Sequence, residues 1–189
     1  MSGLTLLAIE GASGTGKTTV AGLLGNRLGW VHTSTPPDPL RALREKLEGE
    51  CTPLFSMLFN LLGVKRCSDL WQTQSVSTIV DRYYFSTFIY SGLVVDSDLV
   101  KSYLGLFEIA QPTNIVILQS KESVRERRIV ERATGSNENS EFRRRVNSIN
   151  CEIFARRFGE IFPEQPILCD TTNLSCSEVA DEIIKQLGL

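Results

Sequence analysis

Gly11-Ala12-Ser13-Gly14-Thr15-Gly16-Lys17-Thr18 is the stretch that decides the fold of this chain. It satisfies the pattern G-x-x-x-x-G-K-[ST] at each required position. Before it, Leu4-Thr5-Leu6-Leu7-Ala8-Ile9 is a short apolar run that reads as a buried strand. After it, Thr18-Thr19-Val20-Ala21-Gly22-Leu23-Leu24 has helical spacing. Strand, glycine-rich turn and helix start thus follow one another as a phosphate-binding loop requires. The glycines let successive N–H groups turn inward, and the helix N-terminus adds partial positive charge. The expected phosphate cradle is Gly11, Ser13, Gly14, Thr15, Gly16, Lys17, Thr18 and Thr19. Lys17 is placed to reach the β- and γ-phosphates of a nucleoside triphosphate such as ATP, and the Thr18 hydroxyl to hold magnesium.

Composition narrows the class. A chain of 189 residues with 42% hydrophobic content suits one domain with a full core. The formal net charge of −2 gives no footprint for nucleic acid as a main partner. No basic segment precedes the first apolar run, so no signal peptide is expected. The longest apolar stretch, Leu54 to Val64, is broken by Ser56, Asn60 and Gly63. It falls short of the ~20 residues of a membrane span, so no membrane partner is expected. Five cysteines without a C-x-x-C pair read as reduced thiols of a cytoplasmic protein. His32 is the only histidine, which argues against a histidine-cysteine zinc site and makes packing its expected role.

Along the chain, strands and helices alternate. Strands are expected at Trp30 to Ser34, Val76 to Val80, Asn114 to Leu118 and Pro166 to Asp170. Helices are expected at Leu40 to Glu48, Thr52 to Leu62, Tyr83 to Leu93, Asp98 to Ala110, Ser123 to Ala133 and Ser177 to Leu187. A long amphipathic helix is expected from Glu141 to Phe158, after a polar, mobile loop at Thr134 to Asn139. Five strands separated by helices imply a parallel sheet covered on both faces.

Chemistry in such a sheet gathers at the carboxyl ends of the strands. The third strand delivers Asp81-Arg82 there. The aspartate can hold magnesium through water or take a proton from an attacking hydroxyl, and the arginine can grip a phosphate. The plainer alternative is a helix cap at Asp81 and a surface charge at Arg82. The phosphate loop on the neighbouring strand favours the catalytic reading. The helix carrying Arg125, Arg127, Arg128 and Arg132 runs into the polar loop. Glu122, Glu126 and Glu131 can pair with these arginines as a solvated face, but an arginine helix joined to a loop also makes a closing lid. Arg128 and Arg132 are the first candidates for phosphate contact.

These motifs resemble the thymidylate kinase family of P-loop nucleoside monophosphate kinases over nearly the whole chain. Glu10-Gly11, then Gly14-x-Gly16-Lys17-Thr18-Thr19, resembles that family's opening. Asp81-Arg82-Tyr83-x-x-Ser86, with Tyr90 following, resembles its second signature. Pro112 with the next strand, Glu141-Phe142-x-x-x-Val146, and Asp170-Thr171-Thr172-Asn173 resemble the approach to the lid, the helix after it and the adenine-covering loop. The resemblance implies an α/β three-layer P-loop kinase fold: a five-stranded parallel sheet with helices on both faces and a lid. It implies a single domain over 1–189 with the lid at about 125–141. By it, Lys17, Asp81, Arg82, Arg128 and Arg132 are catalytic. Thr172 joins the loop in binding ATP, and Thr18 and Asp81 serve Mg2+.

The acceptor half departs from the family pattern. Ser13 stands where an aspartate is usual, Ser34-Thr35-Pro36 replaces an R-E-P sequence, and Asn60-Leu61-Leu62-Gly63 follows Leu58-Phe59 where an arginine is usual. Either Arg41, Arg44, Lys65 or Arg66 supplies the missing charge, or the acceptor is not ordinary thymidylate. The expected activity is transfer of the ATP γ-phosphate to a small-molecule acceptor, first a pyrimidine nucleoside monophosphate such as dTMP. A nucleoside or another small hydroxylated metabolite is the next choice. A non-catalytic nucleotide-binding module is the reading from a different class, and a homodimer is one assembly open to the chain.

Overall fold

Residues Leu6 to Gly11 are buried without exception and form β1. Its side chains alternate, as a strand's must. Leu7 and Ile9 pack on Val20, Ala21 and Leu24 of α1 (Lys17–Leu28) and on Val179, Ala180 and Ile183 of the last helix. Leu6 and Ala8 face the other way, into the larger core. The chain is described here from a computed structural model covering residues 3–47, 52–91, 93–133 and 146–189.

β1 lies at the centre of a five-stranded parallel sheet in the order β2-β3-β1-β4-β5. The other strands are β2 (Val31–Ser34), β3 (Thr78–Asp81), β4 (Asn114–Gln119) and β5 (Ile167–Asp170). The remaining helices are α2 (Asp38–Leu47), α3 (Pro53–Gln74), α4 (Tyr84–Tyr90), α5 (Ser97–Leu106), α6 (Glu122–Ala133), α7 (Cys151–Ile161) and α8 (Cys176–Leu187). α1 and α8 cover one face, and α3, α4 and α7 cover the other. β1 is flanked by β3 on one side and β4 on the other, and the connections from its two sides run in opposite directions, so a crevice opens at the carboxyl ends of the central strands. The expected three-layer α/β architecture is what the chain adopts.

The larger core is aromatic. Phe85 of α4 stands 5.1 Å from Phe158 of α7 and 4.8 Å from Phe162, centroid to centroid. Such pairs contribute about 1 kcal/mol each beyond area burial. This core fastens α4, the helix that follows Asp81-Arg82, firmly to the sheet.

Three expectations are corrected. Helix α3 does not stop at Leu62 but runs through Gln74. Gly63, which reads as a breaker, is instead a contact point, since a Cβ there would sit 2.8 Å from the Cβ of Pro36. The long helix expected up to Phe158 is interrupted at Ile149-Asn150. Asn150 caps α7, its side chain accepting from Ile153 N at 2.8 Å. β1 itself sits two residues later than expected, because Glu10 and Gly11 pair with Ile117 and Leu118 of β4. The loop Thr134 to Asn139, Glu141-Phe142 and thus the second half of the expected lid lie outside the described residues.

Among the described residues no helix is long and apolar enough to cross a membrane. Cys67, Cys151, Cys169 and Cys176 are free thiols, and Cys51 is outside the described set. His32 is exposed on the edge strand, lying over Gly25 of α1.

Candidate active site

The phosphate loop joins β1 to α1 at the crevice. Gly11 takes φ +133°, and a Cβ there would lie 2.3 Å from the Leu118 carbonyl oxygen. Gly14 takes φ +83°, and its Cβ would meet the Arg125 side chain at 2.8 Å. No side chain but hydrogen fits either place. The Thr15 hydroxyl donates to Ala12 O at 3.0 Å, within the loop.

Lys17 is buried beneath this loop. Its Nζ donates to Ala12 O at 2.5 Å and to Thr15 Oγ1 at 3.3 Å. Burial, reinforced by Arg82 and Arg132, holds its ammonium well below the usual lysine range, while Asp81 and Glu10 pull it back up. Lys17 and Arg82 thus face one another across the crevice, with Arg132 a weaker influence. An anion is what would relieve their mutual repulsion.

Thr18 Oγ1 donates to Asp81 Oδ2 at 2.5 Å. Asp81 is buried, and its other carboxylate oxygen, Oδ1, has no partner. It does not cap α4, whose N-cap position is Tyr83. A hydroxyl and an orphaned carboxylate oxygen are hard oxygen donors of the kind magnesium takes. Among the described residues no group of three or more His, Cys, Asp and Glu could hold a metal alone. That is the usual case for magnesium bound mostly by phosphates and water.

Arg82 adopts a positive φ of 66°. Its Nη1 donates to Ser86 Oγ at 3.4 Å, and its guanidinium lies 5.3 Å from the centroid of the Tyr90 ring. Burial opposes its charge, but Tyr90, Asp81 and Glu10 together hold it above the usual arginine value. The residue stays cationic at the crevice.

The basic helix divides its labour. Arg125 is 2% exposed and is a brace. It donates from Nε to Glu122 at 2.9 Å, from Nη2 to Glu122 as well, from Nη1 to Ser13 O at 3.2 Å, and from Nη2 to Asn147 O at 3.1 Å. Arg128 donates to Thr171 Oγ1 at 3.1 Å and to Thr171 O at 3.0 Å. Arg132 hydrogen-bonds Arg128 O at 3.2 Å and is felt by Lys17. Arg127 forms an exposed pair with Glu131 at 3.8 Å. Of the expected residues, the fold gathers Lys17, Thr18, Asp81 and Arg82 about the crevice, while Arg132 is exposed near the end of α6. Arg128 is turned to the loop after β5. Thr19 is exposed on the first turn of α1.

Thr172 is engaged locally, donating to Asp170 Oδ1 at 2.6 Å and accepting from Lys121 N at 2.9 Å. Its neighbour Thr171 is the hub. The Thr171 hydroxyl lies within donor distance of Thr15 O at 3.2 Å and Gln119 O at 3.0 Å. From the sequence, Thr171 and Glu10 appear only as members of motifs, without a role of their own. Glu10 does leave a signal, since a carboxylate on the buried face of a central strand cannot be incidental.

A family model described as thymidylate kinase matches residues 9–183. The chain belongs to the thymidylate kinase family. A probable thymidylate kinase of Metallosphaera sedula is 32% identical over 117 residues, spanning 58% of this chain and 59% of that protein. A probable thymidylate kinase of Methanococcus aeolicus is 28% identical over 96% of this chain and 94% of its own length. The solved thymidylate kinase of Candida albicans superposes with a TM-score of 0.67 at 16% identity, covering 98% of this chain and 92% of that one. At that identity the likeness speaks for the P-loop kinase fold alone.

At the end of β2, the uncharged Ser34-Thr35-Pro36 has a basic side chain bonded to it. Arg41 of α2 donates from Nη2 to Ser34 Oγ at 2.5 Å. Thr35 in turn donates to Arg82 O at 2.5 Å, so β2 and β3 end side by side. Lys65 is held by Asp69 at 2.7 Å, one turn along α3. Arg66 is exposed. Among these candidates, Arg41 is bonded to the end of β2.

Proposed function

We propose that this protein transfers the γ-phosphate of ATP to a pyrimidine nucleoside monophosphate, thymidylate first, with magnesium. The observation that carries the reading is the Thr18–Asp81 pair, with Asp81 Oδ1 buried and unpartnered beside Lys17 and Arg82. Bound magnesium would neutralise charge on the phosphate oxygens, with Thr18 and Asp81 as its protein anchors. Lys17 exchanges Ala12 O for phosphate oxygens of ATP. Arg82 offers donors to the phosphoryl group and to the acceptor phosphate. Arg132 adds positive charge from the lid side. These groups act by position and charge, which is most of what phosphoryl transfer asks of a protein.

Arg41 on Ser34 favours a phosphorylated acceptor over a neutral one. We also propose a cytoplasmic location, in keeping with the free thiols Cys67, Cys151, Cys169 and Cys176.

The test is parallel measurement of transfer from ATP to thymidylate, deoxyuridylate, thymidine and deoxycytidine. Turnover of thymidylate is expected to lead. Transfer to the nucleosides alone would instead make this a nucleoside kinase. No transfer to any of the four would defeat the pyrimidine reading.

A further inference from the structure

Glu10 is fully buried, at 0% exposure, on the Leu6–Ala8 face of the central strand. A carboxylate there is costly unless its oxygens are satisfied. They are satisfied by α4. Tyr83 N donates to Oε1 at 2.7 Å, Ser86 N donates to Oε1 at 3.4 Å, and Ser86 Oγ donates to Oε2. α4 has no capping side chain of its own at Tyr83. Glu10 fills that role from a strand, closing amides that the helix leaves open.

The consequence reaches Arg82. Its φ of 66° is unfavourable for a side chain of that size and persists only where neighbours impose it. It sits between Asp81, the last residue of β3, and the N-terminus of α4 that Glu10 grips. Ser86 Oγ, which donates to Glu10, also accepts from Arg82 Nη1 at 3.4 Å. Tyr90 lies under the Arg82 guanidinium and donates to Gly11 O at 3.5 Å. The chain of contacts therefore runs from β1 through α4 to Arg82 and back to the first glycine of the phosphate loop.

We propose that Glu10 is the positioning residue for Arg82: through Ser86 and the start of α4 it holds that guanidinium aimed across the phosphate loop at the acceptor phosphate. Glu10 itself touches no substrate. The proposal rests on the phosphotransferase reading for its kinetic arm and on geometry alone for its spectroscopic arm.

The experiment compares wild type, Glu10→Ala, Glu10→Gln and Ser86→Ala. The order of Arg82 is read from 15N relaxation of its Nε–H, with Arg82→Lys to assign the signal. ADP affinity, kcat and the KM for thymidylate are measured alongside. In Glu10→Ala the Arg82 signal is expected to lose order, KM to rise about tenfold and kcat to fall about tenfold, with ADP affinity within about twofold. Glu10→Gln keeps a carbonyl for both amides and should recover to within about threefold of wild type. Ser86→Ala removes only the middle link and should show the same pattern, weaker. Should Glu10→Ala fail to fold, Glu10→Gln and Ser86→Ala decide the matter. Arg82 as ordered in the folded variants as in wild type overturns the proposal. So do unchanged kinetics with a disordered Arg82, and a Glu10→Gln loss equal to alanine's. If wild type phosphorylates no acceptor, the functional reading fails, and the relaxation result still decides whether Glu10 holds Arg82.

Discussion

The two sides of the crevice are built by different means. On the phosphate side the backbone does the holding. Gly11 and Gly14 take conformations that leave no room for a Cβ, and carbonyls of the loop are secured from elsewhere, Ser13 O by Arg125 and Thr15 O by Thr171. On the acceptor side long side chains do the work. Arg41 reaches Ser34 from seven residues away, and Arg82 is aimed through Ser86 and Tyr90. A backbone cradle is tied to its sequence, because its φ angles admit few residues. A guanidinium can be supplied from any element that points into the same space. On the proposed reading, Arg41 of α2 supplies the charge that Ser34-Thr35-Pro36 lacks.

That contrast can be broken at several points. The largest effect is expected at Lys17→Ala, which should lower kcat about 1,000-fold or more and weaken ATP binding. Thermal unfolding should barely move, because the residue serves a ligand. A well-folded variant turning over near the normal rate would remove the phosphate side from the mechanism.

Next comes a pH effect at the junction of the two sides. Burial pushes the Glu10 carboxyl up to about 7 from 4.5, against the pull of Ser86, the Tyr83 amide, and the facing cations Arg82 and Lys17. The folded state therefore holds this proton more tightly than the unfolded one. Glu10's contribution is full below about pH 4.5, declines as pH rises to about 7, and is constant above. Across that window wild type should lose on the order of 3 kcal/mol relative to Glu10→Gln, which has nothing to titrate. Urea unfolding of both proteins at pH 5 and pH 8 reads this difference, and parallel pH dependences would show that the carboxyl titrates as it does in water.

Asp81→Asn should lower kcat about 100-fold with little change in ADP affinity, since shape is kept and the charge near Thr18 is lost. Rate lost together with nucleotide affinity would assign Asp81 to ATP binding instead. The smallest effect separates the acceptor side alone. Arg41→Ala should raise the KM for thymidylate about tenfold and leave the KM for ATP unchanged. An unaltered acceptor KM would move the missing charge to another residue.

Much of the fold is readable from local pattern. The loop Gly11 to Thr18 announces itself, as do the five strands by their apolar runs, and the structure keeps all five in a parallel sheet. Misreadings fall where a local signal has a distant cause. Gly63 looks like a helix end but exists to let Pro36 approach α3. Ser148 to Asn150 looks like the interior of an amphipathic helix, yet Asn150 turns its side chain to cap α7. Arg125 reads as one of several lid arginines, whereas only its bonds to Ser13 O and Asn147 O make it a brace.

By itself, then, the sequence determined the phosphate loop, the alternation of strands and helices, and the acid–arginine pair at the end of β3. These depend on periodicity and on backbone conformations that a few residue types alone can take, all within a short span of chain. The tertiary structure decided which partners those residues have. Glu10 meets Ser86 across 76 positions, Arg125 meets Ser13 across 112, and Thr171 meets Thr15 across 156. Such pairings follow from which strands lie side by side and which helix faces pack between them. A buried carboxylate or guanidinium takes whatever donors and acceptors that packing brings within about 3 Å.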